Sequence, residues 1–150
     1  MTDSLKKNKK MHECTDVVSV EKRSEIMSKI RSKDSVAEKR VRSVLHVAGY
    51  RFRLHKKDLP GTPDIVLPKH RVVIFVHGCF WHQHEKCSRA VFPKSNLDYW
   101  IPKLERNKQR FEEARKALEA MGWIVHIVWE CETKSLGDLS LKIRKSLRKG

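Results

Sequence analysis

The chain is predicted to fold as an α/β domain, a small mixed sheet flanked by helices. Two short β-branched runs, Asp64–Leu67 and Val72–Val76, sit either side of a turn. A third apolar run, Trp123–Trp129, stands alone between two segments whose apolar residues recur at helical spacing. The order helix, strands, helix, strand, helix fits one layered core, and no internal repeat interrupts it.

Residues 1–19 are rich in Lys, Asp, Ser and Asn and lack apolar periodicity, so they are expected to form a flexible basic arm. Residues 20–150 are expected to form a single domain. Ile26, Met27 and Ile30 recur amid Lys and Arg, which predicts a short basic helix up to about Lys33. Ser35 followed by Glu38 has the pattern of a capping box, and Ala37, Val41, Val44, Leu45 and Ala48 keep one helical face apolar until Gly49 stops it.

Tyr50, Phe52 and Leu54 alternate with Arg51, Arg53 and His55 as in a half-buried strand. The turn Leu59-Pro60-Gly61-Thr62-Pro63 leads into the two short runs, which read as a hairpin around Pro68-Lys69-His70. From Leu97 to Met121, Leu104, Phe111, Ala114, Leu118 and Met121 fall near one face of a long charged helix that ends at Gly122. After the Trp123–Trp129 strand, Leu139, Leu141, Ile143 and Leu147 mark a basic closing helix.

Composition narrows the partners. Thirty-three Lys and Arg against 18 Asp and Glu leave a formal charge of +15, and most of the excess lies beyond residue 20. Such a surface suits a dense row of negative charge, with nucleic acid the first choice. No run approaches the ~20 apolar residues of a membrane span, and the polar N-terminus lacks a secretory hydrophobic core. A cytoplasmic protein with reduced cysteines is expected, with Cys14 a free thiol outside the site.

The most informative stretch is His77-Gly78-Cys79-Phe80-Trp81-His82-Gln83-His84-Glu85-Lys86-Cys87, which holds three histidines, two cysteines and two large aromatics. Thiolate and imidazole together suit zinc. Cys79, His84 and Cys87 have short loop spacings, and Cys131, 44 residues after Cys87, completes a Cys3His set of the closed, structural kind. The competing reading makes the cysteines small buried hydrophobes and the histidines surface polars.

Asp64, at a turn-to-strand junction, can hold a hard cation such as magnesium or simply satisfy backbone N–H groups. Glu38 is explained by capping alone, and His77 by burial at a strand end. Phe80, Trp81, Tyr99 and Trp100 are either core residues or rigid wedges that enter a base stack.

Taken together, the Val76–Cys87 string, the Gly61-Thr62-Pro63-Asp64 turn, the Tyr99-Trp100 pair and Trp129-Glu130-Cys131 resemble the very-short-patch repair (Vsr) DNA mismatch endonucleases. The resemblance spans about residues 22–132. It implies a restriction-endonuclease-like fold with a structural zinc ion. It also implies magnesium-dependent nicking of duplex DNA on the 5′ side of the thymine in a T·G mismatch, the lesion left by deamination of 5-methylcytosine. By position, Asp64 and the backbone carbonyl of Val76 would hold magnesium, His77 and Glu38 would order water near the phosphate, and His82 would be the general base. Cys79, His84, Cys87 and Cys131 would bind zinc. Phe80, Trp81 and Trp100 would intercalate, and the arm before residue 33 would cross to the minor groove. A bacterial monomer is expected, cytoplasmic, nucleoid-associated when on DNA, and open to mismatch-repair accessory proteins.

One position departs from the family. Asn107 and Arg110 match an Asn-x-x-Arg-Asp pattern, but Phe111 stands where that pattern places an aspartate that orients the catalytic histidine. Phenylalanine accepts no hydrogen bond, so the alternative is a mismatch-DNA-binding protein whose catalysis is impaired or lost.

Overall fold

A computed structural model describes residues 34–148. The arm, the basic helix expected before Lys33 and Cys14 lie outside the described residues. The elements are α1 (Val36–Val47), β1 (Arg53–Leu54), β2 (Ile65–Leu67), a 3₁₀ turn (Pro68–His70), β3 (Val72–His77), α2 (Leu97–Ala120), β4 (Ile124–Trp129), a second 3₁₀ turn (Glu130–Lys134) and α3 (Leu136–Arg148).

The strands form one mixed sheet in the order β1-β2-β3-β4. β1, β2 and β3 pair antiparallel, and β3 pairs parallel with β4 across the α2 crossover. Side chains alternate between the two faces of a strand, and this sheet sorts accordingly. Ile65, Leu67, Val72, Ile74 and Val128 join Val41 and Leu45 of α1 and Leu139, Ile143 and Leu147 of α3 in one core. Val66, Val73 and Phe75 face the other way, against Leu118, Trp123 and the partly buried Phe111. The sheet is therefore covered on both faces, as its almost continuous apolar strands require. This mixed α/β architecture is the restriction-endonuclease-like class expected.

Helix α1 starts as its sequence predicts. Ser35 Oγ accepts from the Glu38 N–H at 3.2 Å, while the Glu38 carboxylate reaches back to the Asp34 N–H at 3.0 Å. The helix ends in a Schellman pair, Gly49 N–H to His46 O and Tyr50 N–H to Leu45 O, with Gly49 at φ +82°.

Three expectations need correction. The first strand shrinks to Arg53–Leu54 with Leu54 exposed, because the chain turns off the sheet edge at His55, whose φ is +44°. Met121 is exposed at the C-cap of α2, where the chain leaves the helix. Leu141 is exposed because it lies about 200° around α3 from Leu139, while Ile143 and Leu147 continue the buried stripe.

Candidate active site and metal centre

Strand register assembles the site. β3 and β4 end side by side, with His77 opposite Trp129. Cys79 and Cys131, each two residues further on, therefore reach the same sheet edge. The intervening loop folds back through His84 N–H to Cys79 O at 2.9 Å and Cys87 N–H to His84 O at 3.3 Å.

The donor atoms of Cys79, His84, Cys87 and Cys131 all lie within 4.8 Å of one another, and His84 Nδ1 is 3.4 Å from Cys131 Sγ. The His84 ring stacks on Trp129 at 4.1 Å, which fixes its plane. Burial pushes the Cys79 thiol up to about 12 and raises that of Cys131, whereas the Arg89 backbone N–H lowers that of Cys87. Three unpaired thiols converging on an imidazole nitrogen can hold a metal ion, whose charge favours the thiolate forms. The Cys3His set expected from the sequence is thus brought together.

On the other side of the loop lies a cleft of about 380 Å³ bordered by Asp64, Val76, His77, His82, Asn107 and Arg110. Asp64 precedes β2, which runs antiparallel to β3, so it meets the end of β3 where His77 lies. Its Oδ2 accepts from the Val76 N–H at 2.7 Å. Burial, reinforced by the charge of Glu38, pushes the Asp64 carboxyl up to about 7 against that hydrogen bond. A carboxylate so poorly solvated is one that a cation would stabilise.

The two expected histidines lie ring on ring. His77 and His82 stack at 3.7 Å with planes 6° apart. Burial, then the neighbouring His82, pushes His77 down to about 3, and burial pushes His82 down to about 4. Both imidazoles are neutral at neutral pH and can accept a proton. His77 Nδ1 is buried without a partner.

Phe111 meets these rings edge-on, 4.4 Å from His77 and 6.2 Å from His82, and packs on Phe75 at 5.2 Å. It supports the rings by packing where a carboxylate would support them by hydrogen bonding. Of the two neighbouring acids, Glu113 is engaged by Gln109 at 3.1 Å. Glu112 borders a second cleft together with His82 and Lys108.

Gly61 shapes the floor of the first cleft. Its φ is +72°, and a Cβ there would stand 2.6 Å from the Ala114 Cβ of α2. Only glycine lets the turn approach the helix so closely.

Glu38 faces a group that sequence inspection missed. Arg42, one helical turn on, donates to Glu38 Oε2 at 3.1 Å and to Asp34 Oδ1 at 2.7 Å, and its NH2 lies 3.1 Å from His55 Nε2. The Asp34–Glu38–His55 group also converges tightly, but Arg42 already supplies its cation. The i to i+4 spacing of Glu38 and Arg42 was the available signal.

The aromatics sit at the mouth of the loop. Phe80, Trp81 and Trp100 pack mutually at 5.2–6.0 Å between centroids. Trp100 is nearly buried, whereas Phe80 and Trp81 are half-buried and Tyr99 is exposed. Lys103 Nζ lies over the Trp81 ring at 5.6 Å, and Asn107 Nδ2 donates to Trp81 O at 3.4 Å.

No helix among the described residues is long and apolar enough to cross a membrane. Comparison with known proteins identifies the family. The family model for the DNA mismatch endonuclease Vsr matches residues 15–89. The type II nicking enzyme V.XorIIP of Xanthomonas oryzae pv. oryzae is 55% identical over 133 residues, 89% of this chain and 97% of the relative. V.NmeAIP, a type II nicking enzyme of Neisseria meningitidis, is 40% identical over 134 residues, 89% of this chain and 95% of the relative. The Escherichia coli DNA mismatch endonuclease Vsr is 40% identical over 118 residues, 79% of this chain and 75% of the relative. With the fold, the Cys3His cluster and the cleft beside it already in place, these matches show that the chain belongs to the Vsr DNA mismatch endonuclease family.

Proposed function

We propose that this protein is a DNA-nicking repair endonuclease that cuts duplex DNA on the 5′ side of the thymine in a T·G mismatch. The observation that carries the reading is the convergence of Asp64, Val76, His77 and His82 on one cleft beside a Cys3His cluster. The basic surface supports the choice of DNA, and the relatives are named as nicking enzymes and a mismatch endonuclease.

In this reading Asp64 and the Val76 carbonyl hold magnesium, which when bound offsets phosphate charge as a Lewis acid. His82, neutral and bordering the cleft, takes the proton of the attacking water. His77 and Glu38 order water beside the scissile phosphate. Cys79, His84, Cys87 and Cys131 bind zinc and hold the loop that carries His82. Phe80 and Trp81, braced by Trp100, enter the stack beside the mismatch. Residues before Lys33 reach the minor groove, and the enzyme acts as a monomer in the bacterial cytoplasm, where accessory mismatch-repair proteins can meet it.

The test is incubation of a T·G duplex and its T·A control with purified protein and magnesium, with nicks mapped on a denaturing gel. The expected cut lies 5′ of the mismatched thymine and vanishes in Asp64→Ala while binding remains. Undiminished nicking by that variant would sink the assignment. The edge-on contact of Phe111 with His77 favours a second reading, a mismatch binder with impaired turnover. Phe111→Asp separates the two: a gain in nicking marks an impaired catalyst, and no gain with intact binding marks a binder.

A further inference from the structure

His55 stands between two carboxylates, Glu38 of α1 and Asp64 of the cleft. Its Nε2 lies 3.5 Å from Glu38 Oε2, and its Nδ1 lies 3.9 Å from Asp64 Oδ1. The residue holds a left-handed backbone, φ +44°, and its N–H donates to the Asp64 carbonyl at 3.2 Å. Such a conformation is uncommon for a residue other than glycine and is kept where surrounding structure demands it. Here it turns the chain off the sheet edge and brings the ring between α1 and Asp64.

Arg42 bears on which nitrogen carries the proton. A guanidinium only donates, and Arg42 NH2 lies 3.1 Å from His55 Nε2. A hydrogen on Nε2 would face the guanidinium hydrogens at that distance, so Nε2 accepts and the ring N–H sits on Nδ1. Nδ1 is the ring nitrogen nearer Asp64, 3.9 Å from Oδ1, while Oδ2 is already held by the Val76 N–H.

We propose that His55, fixed by Arg42 in its Nδ1–H tautomer, is a positioning residue that orients the Asp64 carboxylate for a divalent cation. The proposal rests on the reading of Asp64 as the magnesium ligand. At 3.9 Å the contact is longer than a direct hydrogen bond. The Nδ1–H dipole acts on Oδ1 across that gap. Arg42 in turn keeps Glu38 and Asp34 satisfied, so neither acid draws the His55 proton to Nε2.

Two measurements test it at fixed neutral pH. Nitrogen-15 spectra of histidine-labelled wild-type protein, with His55 assigned from its loss in His55→Asn, are expected to show a protonated Nδ1 and a bare Nε2. A proton on Nε2 overturns the proposal without any variant needing to fold. Calorimetric titration with magnesium is then compared among wild type, Asp64→Asn, His55→Gln and His55→Asn. Loss of an outer partner of a metal ligand costs roughly 10–100-fold in affinity. His55→Gln, whose amide overlays Nε2, is expected to lose about that much. His55→Asn, whose amide overlays Nδ1 and so restores the donor, recovers most of it. Arg42→Met, which frees the tautomer, weakens binding less than His55→Gln. Equal magnesium affinity in wild type and His55→Gln overturns the proposal while leaving Asp64 as ligand. Equal affinity in wild type and Asp64→Asn overturns the Asp64 reading itself.

Discussion

Replacing Asp64 by Asn isolates the energetic cost of the buried carboxylate. The side chain is 18% exposed, and burial pushes its carboxyl from 3.8 up to about 7. A raised folded-state pKa means that the native protein binds this proton more tightly than the unfolded chain does. The associated stability is therefore complete below pH 3.8 and is lost as pH rises through about 7. The amide introduced by Asp64→Asn does not titrate, and its oxygen can still accept the Val76 N–H at the place of Oδ2.

Of the shift, about two pKa units lie between pH 5 and pH 7, which corresponds to a ceiling of ~3 kcal/mol at 1.36 kcal/mol per unit. Water reaching the partly exposed carboxylate reduces this to about 2 kcal/mol. In magnesium-free buffer, urea unfolding should therefore show Asp64→Asn gaining about 2 kcal/mol over wild type on going from pH 5 to pH 8. Added magnesium should then stabilise wild type and leave Asp64→Asn unchanged. An advantage independent of pH would refute the claim that burial raises the Asp64 carboxyl.

The stacked histidines give the opposite slope. His77 and His82 have folded-state values pushed down to about 3 and about 4, so their contribution is present above pH 6.5 and lost as pH falls through those values. Proton NMR should find both rings neutral at pH 5, and the acid limb of nicking should then follow Asp64 rather than His82 and move to lower pH as magnesium is raised. Cys131→Ser should lower zinc content below one ion per chain and reduce the melting temperature by about 10 °C, for a loss of ~3 kcal/mol; zinc-free wild-type protein would contradict this. Gly61→Ala forces a Cβ to 2.6 Å from Ala114 at φ +72°. It should cost about 1–3 kcal/mol in urea unfolding, and a neutral outcome would show that α2 can withdraw from the turn.

Local periodicity in the chain determined most of the fold. The alternation in β2 and β3 sorts their residues between two cores, and Ser35, Glu38 and Gly49 bound α1 by groups within a few residues of one another. The Cys3His set was legible because the ligand types are chemically distinctive even at a separation of 44 residues. Leu54, Met121 and Leu141 were misplaced because hydrophobicity does not say where a strand leaves its sheet or where a helix stripe ends.

What only the tertiary structure decided is pairing across elements. Arg42 on α1 meets His55 beyond β1, which meets Asp64 before β2, and no spacing in sequence encodes those contacts. The stacking of His77 on His82 and the near burial of Trp100 depend likewise on how the loop folds back over the sheet edge. Sequence patterns report the direction a side chain leaves its own element. Which group it meets is set by register and packing between elements far apart in the chain.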